Sequence, residues 1–154
     1  MSNATAEILN QDNELSCVII PCGESDLLLP NVSVAEIVPW RRIKATSDGP
    51  QWCMGYTGWR GLTIPVLNFA GFAGLAAPDN LRCLVVMNRA RTRHGAAFYA
   101  LAASALPYMV QLGDEDLKGE NDSLGPADVM VVRMGTFKAR IPDLEYIETQ
   151  VAGL

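Results

Sequence analysis

Apolar residues in this chain come in brief runs separated by turn-forming residues. "LSCVIIPC" at 15–22 is a compact apolar run and predicts a strand, with "GESD" at 23–26 as the turn that follows it. "LLLPNVSVAEIVPW" at 27–40 predicts a second extended segment. In it Val32 and Val34 alternate before a bulge or short turn near Glu36, and Pro30 and Pro39 bracket a stretch too short for a convincing helix. "IKATSDGPQW" is a loop turning at Asp48, Gly49 and Pro50. In "LTIPVLNF" the residues Leu62, Ile64, Val66 and Asn68 share one side. Pro65 within that run points to an edge strand or a local irregularity.

The second half repeats the pattern. "GFAGLAAPDN" is a loop of small residues, and "LRCLVVM" and "GAAFYALAA" flank "NRARTRH" as the arms of a hairpin. "DVMVVRMGTFKARIP" is another hairpin, turning at Gly135. "DLEYIETQV" closes the chain as a helix, with Asp143 as its cap and Leu144, Ile147 and Val151 on one face. Many short strands, Gly/Pro punctuation and a single late helix predict an all-β barrel or sandwich.

Composition bounds the picture without changing it. A chain of 154 residues is most simply one domain, and that size buries a core without metal or disulfide staples. The first thirteen residues, "MSNATAEILNQDN", are polar and predict a frayed segment, leaving 14–154 as the folded unit. No secretory signal is expected, because the first fifteen residues hold three acids and no apolar run. "GAAFYALAASALPYMV" is about sixteen residues long and broken by Ser104 and Pro107, whereas a spanning helix needs about twenty. The expectation is a cytoplasmic protein without membrane insertion, whose Cys17, Cys22, Cys53 and Cys83 stay reduced.

The net charge of −5 is unevenly spread. Residues 114–128 carry Asp114, Glu115, Asp116, Glu120, Asp122 and Asp128 against Lys118 alone, which accounts for all of it. Arg82, Arg89, Arg91 and Arg93 form a local basic cluster, but overall acidity argues against nucleic-acid binding, which needs a basic face.

A search for catalytic chemistry finds little. His94 is the single histidine and has no sequence partner for a triad or metal site. The cysteine spacings lack the C-x2-C pairing of a zinc knuckle or redox motif, so all four read as structural. "DEDLKGENDSLGP" lacks the register of a calcium loop and reads as solvated. The glycines of "GYTGWRGLTIPVLNF" at 55–69 do not open a helix after a strand, so a phosphate cradle is unsupported. No cofactor is expected, and the chain reads as a non-enzyme. Arg60, placed between Trp59 and Gly61, keeps two readings open. One is a surface cation packed on Trp59 or Tyr56; the other is a recognition residue of the type that dominates binding hot spots.

Taken together, "NVSVAEIVP" at 31–39, "GYTGWRGLTIPVLNF" and "MGTFKARIPDLEYI" at 134–147 resemble the CheW-like family of chemosensory coupling proteins. Val34, Ala35, Glu36 and Ile37 match its first signature, and Gly55, Arg60, Gly61, Pro65 and Val66 its strongest one. Gly58 and Trp59 stand where the family usually has Asn and Leu, and Asn68-Phe69 where it has Asp-Leu. The Trp-Arg-Gly form is closer to coupling proteins of type IV pilus (twitching-motility) systems, of the PilI and ChpC kind. The resemblance implies two SH3-like, five-stranded antiparallel β-barrel lobes sharing a core in one CheW-like domain. It implies a scaffold adaptor that joins the cytoplasmic tip of a methyl-accepting chemoreceptor to the regulatory domain of a CheA-type histidine kinase. By position it places Val34, Glu36, Arg60 and Gly61 in the receptor-binding groove, and Trp59 beside them by inference. Self-association through apolar barrel ends is a further expectation. The alternative is a divergent module that binds a small ligand or modulates another adaptor.

Overall fold

The computed structural model describes residues 14–88 and 98–154. Among the described residues, twelve strands divide equally between two sheets. The first sheet holds β1 (Glu14–Cys22), β2 (Ser25–Pro30), β9 (Tyr108–Gly113), β10 (Lys118–Glu120), β11 (Asp128–Met134) and β12 (Phe137–Pro142), in the order β10-β11-β12-β2-β1-β9. The second holds β3 (Val34–Pro39), β4 (Lys44–Ala45), β5 (Cys53–Trp59), β6 (Leu62–Leu67), β7 (Cys83–Met87) and β8 (Tyr99–Ala103), in the order β3-β7-β8-β6-β5-β4. Each lobe therefore has five principal strands and one minor strand, β10 with three residues and β4 with two.

The order makes both lobes curl. Edge strands β9 and β10 follow one another in the chain, as do β3 and β4, and each connection takes five residue steps. Five extended steps reach roughly 17 Å. The outer strands of a flat six-stranded sheet would lie about 24 Å apart. The edges must be drawn together into a barrel-like curve, which also removes the hazard of open edges.

The run at 27–40 is not one extended segment. It breaks at the 3-10 turn Asn31–Ser33, with β2 before it in the first lobe and β3 after it in the second. The second lobe is thus inserted between β2 and β9. Strand β9, which starts in the apolar run 95–110 and extends beyond it, is also new: its Tyr108 and Met109 pair with Ile19 and Val18 of β1. Pro65 does not make β6 an edge. β6 lies between β5 and β8, but its ladder to β8 is confined to Val66 and Leu67, starting just past the residue that lacks an N–H.

Both faces of β1 are buried, which is why "CVII" reads as continuous rather than alternating. Cys17 and Ile19 fill the first lobe with Leu28, Val132 and Ala139. Val18, Ile20 and Cys22 turn to the seam between lobes, where Leu67, Val85, Met87, Tyr99 and Leu101 meet them. The helix α1 (Leu144–Ala152) seals that seam with Ile147 and Val151. Asp143 caps it, its Oδ1 accepting from the Tyr146 N–H at 3.0 Å. Glu36, Val38, Trp59 and Val66 belong to the second lobe, whose interior is otherwise Ile64, Leu84, Val86, Ala100 and Ala102. No helix among the described residues is long and apolar enough to cross a membrane.

Candidate partner-binding site

The site is built on the β5–β6 hairpin. Trp59 pairs with Leu62, so Arg60 and Gly61 form a two-residue loop. Their φ angles are +47° and +76°, both in the left-handed region. Two positive φ values are the pattern of a type I′ turn, whose twist matches that of the flanking strands. Gly61 adopts this conformation freely. Arg60 is the only non-glycine with positive φ among the described residues, and a Cβ makes that conformation costly. The first glycine of the same motif serves a different need: a Cβ at Gly55 would collide with the Lys44 carbonyl oxygen of neighbouring β4.

A β-bulge delivers the partner residue. The β3–β7 register shifts between Val34 and Glu36. Val38 points into the second lobe and Glu36 shares its face, reaching Trp59. The extra residue at Ala35 turns Val34 away, and Val34 packs against the seam between lobes. The predicted irregularity near Glu36 is this bulge.

Glu36, Trp59 and Arg60 form one constellation. Glu36 Oε1 accepts a hydrogen bond from Trp59 Nε1 at 2.9 Å and pairs with Arg60 Nη2 at 3.1 Å. The Arg60 guanidinium carbon lies 4.9 Å from the Trp59 ring centroid, within cation–π range. Trp59 itself is only 6% exposed, packed on Phe98 at 4.8 Å between centroids. Its indole is a buried platform with its N–H aimed outward, so it offers a partner little surface. The Arg60 side chain is 68% exposed and holds its remaining donors towards solvent.

Of the five residues expected in the groove, Glu36, Trp59, Arg60 and Gly61 therefore come together, while Val34 lies on the seam side. Two neighbours were not singled out from the sequence. Leu62 follows the turn and is 44% exposed despite being apolar. Arg41 Nη1 donates to the Gly58 carbonyl at 3.0 Å, placing a second guanidinium at this corner. The pairing of Arg41 with a glycine carbonyl leaves no trace in a linear pattern.

The CheW-like domain family model matches residues 16–135. The chain belongs to the CheW-like family. It is 22% identical over 123 residues to the chemotaxis protein CheW of Rhizobium meliloti (strain 1021), covering 79% of this chain and 76% of that protein. Its fold is similar to the crystal structure of the scaffolding protein TtCheW from Thermoanaerobacter tengcongensis, with a TM-score of 0.68 and 16% identity. That match covers 86% of this chain and 90% of the other.

Elsewhere in this CheW-like chain, the acidic stretch has a partner. Glu120 pairs with Arg133, Asp122 with Lys138 at 2.6 Å and Asp128 with Arg140 at 2.6 Å. These three acids bind the stretch to the β11–β12 hairpin, and its first part forms a 3-10 turn and β10 rather than a plain loop. Pairing with Lys138 holds the Asp122 carboxyl below its usual range. The four thiols are free and buried, and burial pushes all four up in pKa, Cys22 to about 12. A thiol raised in this way is a poor nucleophile, in keeping with a packing role for all four. No group of three or more metal-ligating side chains occurs among the described residues. Arg89, Arg91, Arg93, His94 and the polar segment 1–13 lie outside the described residues.

Proposed function

We propose that this chain is a non-catalytic scaffold adaptor working in the cytoplasm. It couples the cytoplasmic tip of a methyl-accepting chemoreceptor to the regulatory domain of a CheA-type histidine kinase, in chemotaxis or twitching motility. Membership of the CheW-like family supports the adaptor class. One observation carries the site: Arg60 occupies a left-handed turn position where Asn or Gly would cost less, and its guanidinium stays exposed. A residue kept at a conformational cost, with its charged end facing solvent, suits recognition better than stability.

In this reading Arg60 contacts the receptor, Glu36 and Trp59 aim it, and Gly61 permits the turn. Leu62 adds an apolar contact, and Val34 supports the groove from the seam. A helical receptor tip presenting a carboxylate beside an apolar stripe fits this corner. The test is co-purification from native cells with mass spectrometry, wild type against Arg60→Ala. The expected result is kinase recovered with both and receptor recovered with wild type only. Recovery of neither partner with the wild type would sink the adaptor reading.

A further inference from the structure

Arg60 has a second guanidinium for company at the end of β5. The connector from β3 to β4 runs beside that strand: Lys44 pairs with Tyr56, and the Arg42 carbonyl accepts from Thr57 Oγ1 at 3.2 Å. One step further along, Arg41 Nη1 donates to the Gly58 carbonyl at 3.0 Å. The next residue, Trp59, carries the Arg60 guanidinium on its ring. Two guanidiniums are therefore anchored to consecutive residues of β5, whose Cα atoms lie about 3.8 Å apart. Each spends only part of its N–H donors within the chain, Arg41 on Gly58 and Arg60 on Glu36.

Gly58 leaves the backbone bare at this point. It is exposed, and a Cβ there would meet only the Leu62 carbonyl oxygen, at 3.9 Å. A partner can therefore approach the strand closely. Trp40 and Leu62, both apolar and exposed, follow or precede the same elements in the chain.

Charge selects the partner. The described part of the second lobe carries Arg41, Arg42, Lys44, Arg60 and Arg82 against Glu36, Asp48 and Asp79, although the whole chain is acidic at −5. Glu36 is taken by Arg60, and the other four cations have no ion-pair partner among the described residues. The first lobe differs, because it neutralises Arg133, Lys138 and Arg140 with its own acids.

We propose that Arg41 and Arg60 together form a two-guanidinium clamp for an acidic helical segment of the partner, presenting at least two carboxylates beside an apolar stripe that meets Trp40 and Leu62. The identity of that partner rests on the adaptor reading; the clamp adds Arg41 as a recognition residue alongside Arg60. Guanidinium forks match carboxylates in geometry as well as charge, and Trp and Arg are the residue types that dominate binding hot spots.

The test is an amide NMR titration of the full chain with two synthetic amphipathic helical peptides. They share one leucine stripe and differ only in carrying Glu or Gln beside it. The Trp59 indole N–H, which donates to Glu36, reports on the site. The Glu peptide should shift it and the Gly58 amide saturably, and bind at least roughly tenfold more tightly than the Gln peptide, the factor one hydrogen bond to a charged group supplies. Arg41→Gln keeps an N–H donor for the Gly58 carbonyl but loses the charge. It should weaken the Glu peptide roughly tenfold while its urea midpoint stays near wild type.

Four results would overturn the clamp: no saturable shift with the Glu peptide up to millimolar concentration, equal binding of both peptides, wild-type affinity in a folded Arg41→Gln chain, or an oligothymidylate that shifts the same signals at lower concentration and so assigns the site to phosphate. Adding Arg41→Gln to the co-purification separates this inference from the adaptor reading. Receptor recovered equally with wild type and Arg41→Gln overturns the clamp and leaves the adaptor. Selective binding of the Glu peptide with no receptor recovered by the wild type does the opposite.

Discussion

Replacing Arg60 by Asn separates what the arginine does for the fold from what it does for a partner. Three terms set the stability change. The exposed ion pair to Glu36 contributes about 0.2–1 kcal/mol. The cation–π contact to Trp59 contributes about 0.5–1 kcal/mol. Against these stands the left-handed backbone at φ +47°, which costs a side chain with an ordinary Cβ about 1 kcal/mol and Asn much less. Arg60→Asn therefore loses both contacts but relieves the backbone, for a net destabilisation of about 0–1 kcal/mol. Arg60→Ala loses the same contacts without relief and should cost about 1–2 kcal/mol. Urea denaturation at low salt measures both, and roughly 1 kcal/mol should separate them. In a domain of this size that difference is about 2–4 °C in Tm. Receptor binding should be lost in both variants, because neither keeps the guanidinium. A loss above about 3 kcal/mol in Arg60→Asn would show a structural arginine. Undiminished receptor binding by a folded Arg60→Asn would refute the site.

Other expectations follow from the same geometry. Glu36→Gln keeps an acceptor for the Trp59 N–H but removes the ion pair, so stability should fall by less than about 1 kcal/mol while receptor affinity drops severalfold; unchanged affinity in a pull-down would show that Glu36 does not aim Arg60. Ile147→Ala opens a hole where the helix seals the seam and should cost about 2–5 kcal/mol by urea denaturation. A cost under about 1 kcal/mol would mean that the helix is dispensable to the seam. Burial, with Asp26 and Cys83 adding to it, raises Cys22 from its ordinary 9.0 to about 12. Its folded value lies above its unfolded one, so its contribution is fully present below about pH 9 and is lost as pH rises towards 12. Urea midpoints taken from pH 7 to 11 should fall at the alkaline end, and less steeply in Cys22→Ala; equal slopes would assign the loss to other groups.

Unlike β4, β9 and β10, most of the longer strands, the two hairpins, an irregularity near Glu36 and the capped closing helix were written in local pattern. Each depends on residues close in the chain: alternation, a glycine at a turn, an aspartate before a helix. That Glu36, Trp59, Arg60 and Gly61 cluster was foreshadowed as well, because the Trp-Arg-Gly turn and the Glu-Ile strand are compact motifs. What only tertiary structure decided is how those pieces share their surroundings. No local signal says that Asn31–Ser33 carries the chain from one lobe to the other, or that Val34 and Glu36, two residues apart, face different cores. Nor does composition reveal that Glu120, Asp122 and Asp128 neutralise Arg133, Lys138 and Arg140 of one hairpin. Those relations join residues far apart in sequence, and they exist only once the sheets have curled and the seam has closed.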